Sequence, residues 1–269
     1  MKFRAHYGID GKKKIELRRF NANEKRAVED RREAEKIFRA NLGALAELQY
    51  RLYAEQKQSL LIVLQGIDAA GKDGTIRRVF STFNPQGCSV TPFKVPTPEE
   101  RGHDFLWRVH KAAPGSGHIT IFNRSHYEDV LVVRVHDLVP KSVWSRRYAQ
   151  INEFEKMLAA NGTTIVKFLL LIGKDEQRQR FQKRLDDPAR NWKFSREDVE
   201  KRKYWDDYLD AFEDAVNRCA RPHAPWYCIP ADRKWYRNLV ISEIVKETLE
   251  EMDPRIPRSR EDLSGIVIE

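Results

Sequence analysis

The chain has 269 residues, 41% hydrophobic, 33% charged and 10% aromatic, a size that buries roughly three quarters of the unfolded surface and a composition that excludes disordered, collagenous and low-complexity classes. No apolar run reaches the roughly 18–20 residues that cross a bilayer, and MKFRAHYGIDGKKKIELRRF lacks the apolar stretch of a secretory signal, so a soluble, cytoplasmic protein is expected. The 49 Lys and Arg against 40 acids leave a formal charge of +9, which points to a polyanionic partner: nucleic acid, anionic lipid or a phosphate-rich small molecule.

No repeat or Gly/Ser/Pro-rich linker divides the sequence, which reads as one domain, 1–269, with a helical extension over about 1–58. Residues 22–58 predict a long amphipathic helix or a helical pair, with Ala34, Ile37, Leu42, Leu45 and Leu48 at helical spacing. SLLIVLQG (59–66) is a short continuous apolar run ending on Gly, the pattern of a strand buried on both faces of a parallel sheet. Further strands are expected at 88–93, 118–123, 163–172 and 226–230. Helices are expected at 75–83, 98–112, 142–160, 175–185, 196–218 and 235–252, before an unassigned tail. Such alternation predicts a doubly wound α/β fold with a central parallel sheet of these five strands and ligand sites beyond their carboxyl ends. Cys88, Cys219 and Cys228 form neither a disulfide framework nor a close-spaced metal quartet.

GIDAAGKD (66–73) stands directly after the first apolar strand and before a helix, where a phosphate-binding loop belongs. Glycines at both ends let the backbone curl so that successive N–H groups face inward, and the following helix adds its positive N-terminal dipole. Lys72 then reaches the phosphates as a point charge. The usual Ser or Thr after the lysine is replaced by Asp73, and Thr75 comes two places too late for that role. Asp68 would repel bound phosphates by a few kcal/mol at a few Å. Either a magnesium ion bridges it to them, or it faces the acceptor and organises attack, or it caps the loop by bonding local N–H groups.

After the third strand comes NRSHYEDVLVVRV (123–135). Arg124 can fork onto phosphate oxygens, whereas Glu128 and Asp129 are either site carboxylates or acids favoured in a first helical turn. Arg134, one to two turns on, points to the same cleft or to solvent. Beyond the fourth strand Arg178, Arg180, Lys183, Arg184, Arg190 and Lys193 crowd around a Pro-containing break. That segment is either a solvated helix face or a lid that closes over phosphates and excludes water. His103, His110, His126 and His136 show no metal-binding spacing, and the six tryptophans are scattered, with core packing as their default.

Taken together, QGIDAAGKDGTIRRVF, FNPQG, FNRSHYEDVLVVRV, RNWKFS and YWDDY resemble the polyphosphate kinase 2 family over nearly the whole chain. The resemblance implies a thymidylate-kinase-like, three-layer P-loop kinase fold with a helical lid over about 178–205. It also implies reversible transfer of the terminal phosphoryl group of inorganic polyphosphate to a nucleotide with Mg2+, or Mn2+ in its place. Carried onto this sequence, Asp68, Lys72, Arg124 and Glu128 are catalytic, and Asp68 and Glu128 are the metal carboxylates. Gly66, Ala69, Ala70, Gly71, Lys72, Asp73 and Gly74, with Arg178 and Lys193 from the lid, bind polyphosphate. Asn123, Arg124, Glu128 and Arg134 bind the nucleotide.

Asn123 stands where many members carry Asp and is a neutral, weaker magnesium ligand. Asn before the arginine and Glu four residues after it resemble the subgroup acting on both nucleoside mono- and diphosphates. That implies AMP and ADP as acceptors, with GMP and GDP as further candidates, and a homo-oligomer, dimer or tetramer, with no nucleic-acid or membrane partner. Two other readings compete: an ATP-dependent nucleoside or nucleotide kinase on the same fold, and a non-catalytic P-loop protein that binds nucleic acid through its basic face.

Overall fold

A computed structural model describes residues 3–12, 14–26, 28, 30–189, 191–259, 261, 262, 264 and 266–268. The strands β1 (Gly8–Ile9), β2 (Ser59–Gln65), β3 (Cys88–Pro92), β4 (Ile119–Asn123), β5 (Thr163–Leu171) and β6 (Trp226–Pro230) form one sheet in the order β1-β6-β5-β2-β4-β3. Strands β2 to β6 run parallel, each within a residue or two of its expected bounds. All seven residues of β2 and all five of β6 are buried, because helices cover both faces and leave no side for polar residues.

The sheet has six strands rather than the expected five, and the extra one, β1, is antiparallel to β6 through Gly8↔Tyr227 and Ile9↔Trp226. A two-residue strand has no periodicity to read; tertiary pairing alone creates it. The extension is correspondingly less helical than expected before residue 31: a short helix (Phe3–Tyr7), β1 and one 3₁₀ turn (Leu17–Arg19) precede the long helix Arg31–Glu55. Asp30 starts that helix by accepting the Arg32 N–H at 2.8 Å, and Gln56 ends it in a left-handed conformation.

On one face of the sheet the helices Arg31–Glu55, Lys72–Val79 and Lys234–Met252 enclose a core that includes Leu45, Leu52, Ile62 and Ile241. On the other, Lys141–Ala160 and Trp205–Cys219 pack Ile151, Phe212 and Val216 against Leu61, Val63 and Trp226. Two expected helices are broken. The first splits into Pro98–Arg101 and Trp107–Ala112, since Thr97 and Glu100 form a capping box at one start and Asp104 restarts the chain by accepting Leu106 N–H. The second splits into Arg196–Lys201, a 3₁₀ turn (Arg202–Tyr204) and Trp205–Cys219.

The order of the parallel strands reverses around β2, whose neighbours are β4 and β5. Ligands of open α/β sheets bind at this switch point, beyond the strand ends. No helix among the described residues is long and apolar enough to cross a membrane.

Candidate active site

The loop leaving β2 curls because three residues accept left-handed backbone: Gly66 (φ 147°), Ala69 (66°) and Gly71 (108°). A Cβ on Gly66 would lie 2.7 Å from Leu170 O, so only glycine fits there. The helix Lys72–Val79 starts immediately after, with no side chain capping its N-terminus, so its first N–H groups remain for a ligand. Lys72 is buried and folds back on the loop, its Nζ donating to Gly66 O at 2.6 Å and Ile67 O at 3.3 Å. Burial lowers its pKa against the opposing pull of Asp68. Thr75 lies wholly buried inside the helix, and its hydroxyl has no partner among the described residues.

The loop's carbonyls are gripped from the opposite side by the helix Lys174–Asp186. Gln177 Nε2 donates to Asp68 O at 2.8 Å, while Arg180 Nη1 donates to Ala69 O and Ala70 O at 3.0 and 3.2 Å. The other arm of Arg180 reaches Ala231 O and Asp232 O, tying the loop to the end of β6. With the carbonyls of Asp68, Ala69 and Ala70 held this way, the loop amides other than Ala70 N–H, which bonds Ile67 O at 3.1 Å, are left for an anion. Arg178 is exposed on the outer face of this helix, so the arginine that meets the loop is its neighbour at 180. Arg190 and the side chain of Lys193 lie outside the described residues.

Next to the loop, β4 ends at Asn123, whose Nδ2 donates to Asp73 Oδ1 at 2.8 Å. Arg124 takes left-handed backbone (φ 62°), anchored by its N–H on Leu64 O at 3.0 Å, and so turns its side chain back across the loop. Its Nη2 donates to Asp68 Oδ1 at 2.7 Å, and Lys201 Nζ stands 3.7 Å from the other Asp68 oxygen. Burial alone would raise the Asp68 carboxyl, but Lys72, Arg124 and Lys201 outweigh it and hold it below the usual carboxylate range.

Ser125 opens the turn His126–Asp129 by accepting Tyr127 N–H, and Glu128 then points inward. Gln65 at the end of β2 donates its amide to Glu128 Oε1 at 3.0 Å and accepts Ser125 N–H at 3.1 Å. Burial pushes the Glu128 carboxyl upward despite Arg124 and Lys72 nearby. Asp129 turns away onto Arg147 at 2.9 Å. Arg134 is engaged elsewhere, pairing with Asp214, donating to Tyr148 Oη at 3.4 Å and lying over the Trp144 ring.

Behind this turn lies a charged network with no exposure. Lys167 of β5 donates to Glu155, to Tyr127 Oη at 2.9 Å and to Cys219 O at 2.8 Å, while His126 Nε2 meets Glu155 Oε1 at 3.2 Å. The three residues between Arg124 and Glu128 are therefore fully buried, two of them, His126 and Tyr127, bonded into this network.

These groups line one wall of a pocket whose opposite wall is apolar. Trp205, Tyr208 and Phe212 face Leu131 and Val132, with His136 Nε2 meeting Tyr208 Oη at 3.1 Å. Lys201, Trp205, Tyr208 and Phe212 follow each other at intervals of four, three and four residues, one face of a helical run. Sequence reasoning gave the tryptophans core packing as their default, counted Arg180 only as one of the basic residues of the segment after the fourth strand, and did not single out Lys201, Gln65 or Gln177; for Lys201 the helical spacing was the available signal. No group of three or more His, Cys, Asp or Glu suited to a metal occurs among the described residues.

A model of the polyphosphate kinase 2 family matches residues 28–257. The chain belongs to this family. The AMP/ADP-polyphosphate phosphotransferase of Meiothermus ruber is 50% identical over 264 residues, covering 98% of this chain and 99% of that one. The ADP-polyphosphate phosphotransferase of Rhodopseudomonas palustris is 43% identical, covering 91% and 89%. The crystal structure of polyphosphate kinase 2 from Arthrobacter aurescens TC1 superposes with a TM-score of 0.94 at 38% identity, covering 98% and 94%. The fold is that of this polyphosphate kinase 2 structure, an α/β P-loop kinase architecture with a mixed sheet.

Proposed function

We propose that the chain transfers the terminal phosphoryl group of inorganic polyphosphate to AMP and ADP, forming ADP and ATP, and runs the reaction in both directions. The observation that carries the reading is the Asp68–Arg124 contact of 2.7 Å. It joins a phosphate loop to an arginine placed to bind phosphate, beside a pocket whose other wall is apolar enough for a nucleoside.

In the forward direction a phosphate oxygen of the acceptor attacks the terminal phosphorus of the donor. One P–O bond forms, the anhydride P–O bond breaks, and a chain one phosphate shorter leaves as the oxyanion. Two polyanions must meet, so cationic groups and oriented amides supply the catalysis. The loop amides and Lys72 take the donor phosphates, Arg124 bridges donor and acceptor, and Lys201 neutralises charge from the lid side. Glu128 orients the acceptor.

The residues present fit magnesium, because Asp68 is held ionised at the loop's mouth and this ion commonly takes one or two carboxylates with substrate phosphates and water. Asp68, with Glu128 as the second carboxylate, would hold Mg2+ or Mn2+, which neutralises phosphate charge when bound. A cytoplasmic homo-oligomer, and GMP and GDP as further acceptors, belong to the same reading.

The test mixes the protein and magnesium with AMP or ADP and either polyphosphate or ATP, and follows ADP and ATP. ATP formed from ADP and polyphosphate is expected. Turnover with ATP as the only competent donor would establish the ordinary nucleotide kinase instead.

A further inference from the structure

Arg237 lies beneath the phosphate loop, in the first turn of the helix Lys234–Met252, and is 2% exposed. Its Nη1 donates to Ala70 O at 3.2 Å, while Nε and Nη2 both donate to the Asn238 side-chain oxygen at 3.2 and 2.9 Å. The guanidinium is pressed against the loop's backbone: a Cβ on Gly71 would fall 2.0 Å from Nη1, and one on Gly74 3.6 Å from Nη2. Gly71 is thus required twice, for its φ of 108° and for the room it leaves this cation.

Among the described residues no carboxylate pairs with it. Glu176 is taken by Arg180 Nε at 2.8 Å, and Asp232 accepts the Gly173 N–H at 2.8 Å. Further along the same helix Glu243 pairs with Lys246, and Glu251 with Arg4. The nearest charged influence is a second cation, Arg180, and the position itself is unfavourable, since a helix N-terminus repels positive charge. Burial and Arg180 together push the Arg237 pKa down to about 9. A buried charge without a counter-ion destabilises a fold, and an anion held in the loop above would supply one.

We propose that Arg237 is a charge-balancing and positioning residue of the phosphate loop, holding the Ala70 carbonyl away from the bound anion and lending the empty loop a positive charge that phosphate neutralises. The proposal rests on the loop's binding phosphate, and it acts through the loop backbone.

The decisive variant is Asn238→Asp. It keeps an acceptor oxygen for Nε and Nη2 and adds a permanent counter-charge beside them. The melting temperature of the ligand-free protein should rise, pyrophosphate affinity by calorimetry should fall about tenfold, and KM for polyphosphate should rise in parallel with kcat within about threefold. Arg237→Gln, checked for folding by circular dichroism, should lose pyrophosphate affinity by a similar factor. A purely structural Arg237 predicts otherwise: Asn238→Asp binding pyrophosphate within twofold of the unmodified protein would overturn the proposal. Should the unmodified protein itself fail to bind pyrophosphate, the phosphate-loop reading falls instead.

Discussion

Replacing Lys167 by Met removes a wholly buried cation from the middle of β5 and strands the charge that it balances. Three acceptors lose a donor at once: Glu155, which keeps Tyr127 Oη, Tyr127 Oη itself and Cys219 O. Burial by itself would raise the Glu155 carboxyl, and Lys167, then His126, pull it below its ordinary value. Breaking one side of such a pair costs about 3–5 kcal/mol, which in a chain of this size corresponds to a melting temperature roughly 10 °C lower.

The sign of the pH dependence follows. In the variant the Glu155 pKa rises, so neutral Glu155 contributes stability at low pH that is lost as pH climbs through the raised value. The deficit against the unmodified protein should therefore shrink between pH 7.5 and about 5.5. Because Tyr127 belongs to the turn that carries Glu128, kcat/KM should also drop by about tenfold although Lys167 does not line the pocket.

Denaturant midpoints for Lys167→Met, Glu155→Leu and the double variant give the coupling energy directly. The double variant should recover most of the loss. A loss below about 1 kcal/mol in Lys167→Met, or a double variant destabilised by the sum of the two singles, would refute the charge-pair account.

Lys72→Met should abolish measurable turnover while leaving the fold intact by circular dichroism, since it removes charge stabilisation worth several kcal/mol in the transition state. Asp68→Asn should lower kcat by at least about a hundredfold and weaken the response to magnesium in a titration of initial rates. Glu128→Gln tests a buried acid whose pKa burial raises. The ionised form costs stability above that value, so the variant should match the unmodified protein near pH 4.5 and be the more stable at pH 7.5 in urea, yet turn over more slowly. Lys201→Ala, at a half-exposed contact of 3.7 Å, should change stability by less than about 0.5 kcal/mol and raise KM for polyphosphate in a salt-dependent way.

The parallel strands and the phosphate loop were legible in the sequence because each is a local pattern: SLLIVLQG and TTIVKFLLLI are continuous apolar runs, and GIDAAGKD follows the first directly. Local pattern also explains the misses. The two residues of β1 carry no period, and their strand character exists only against β6. In the basic segment after β5, one arginine looks like another; helical phase puts Arg178 in solvent and turns Arg180 onto Ala69 and Ala70. For Arg134 the sequence left cleft and solvent open, and its partner Asp214 stands eighty positions later in the chain. Lys167 is the one charged residue of β5 and Arg237 is a buried cation in the first turn of its helix, and what they meet across the fold, Glu155 and Cys219 O for the first and Ala70 O for the second, lies elsewhere in the chain. Their meaning is entirely tertiary.

The N-terminal arm has a practical consequence for anyone who trims this protein at the start of the span that matches its family. Gly8 and Ile9 occupy the outer hydrogen-bonding row of β6, which would otherwise be a bare, fully apolar strand border. Bare borders of that kind recruit strands from other molecules. A version starting at Val28 would keep every residue of the pocket, yet it should cloud on storage and pellet on concentration.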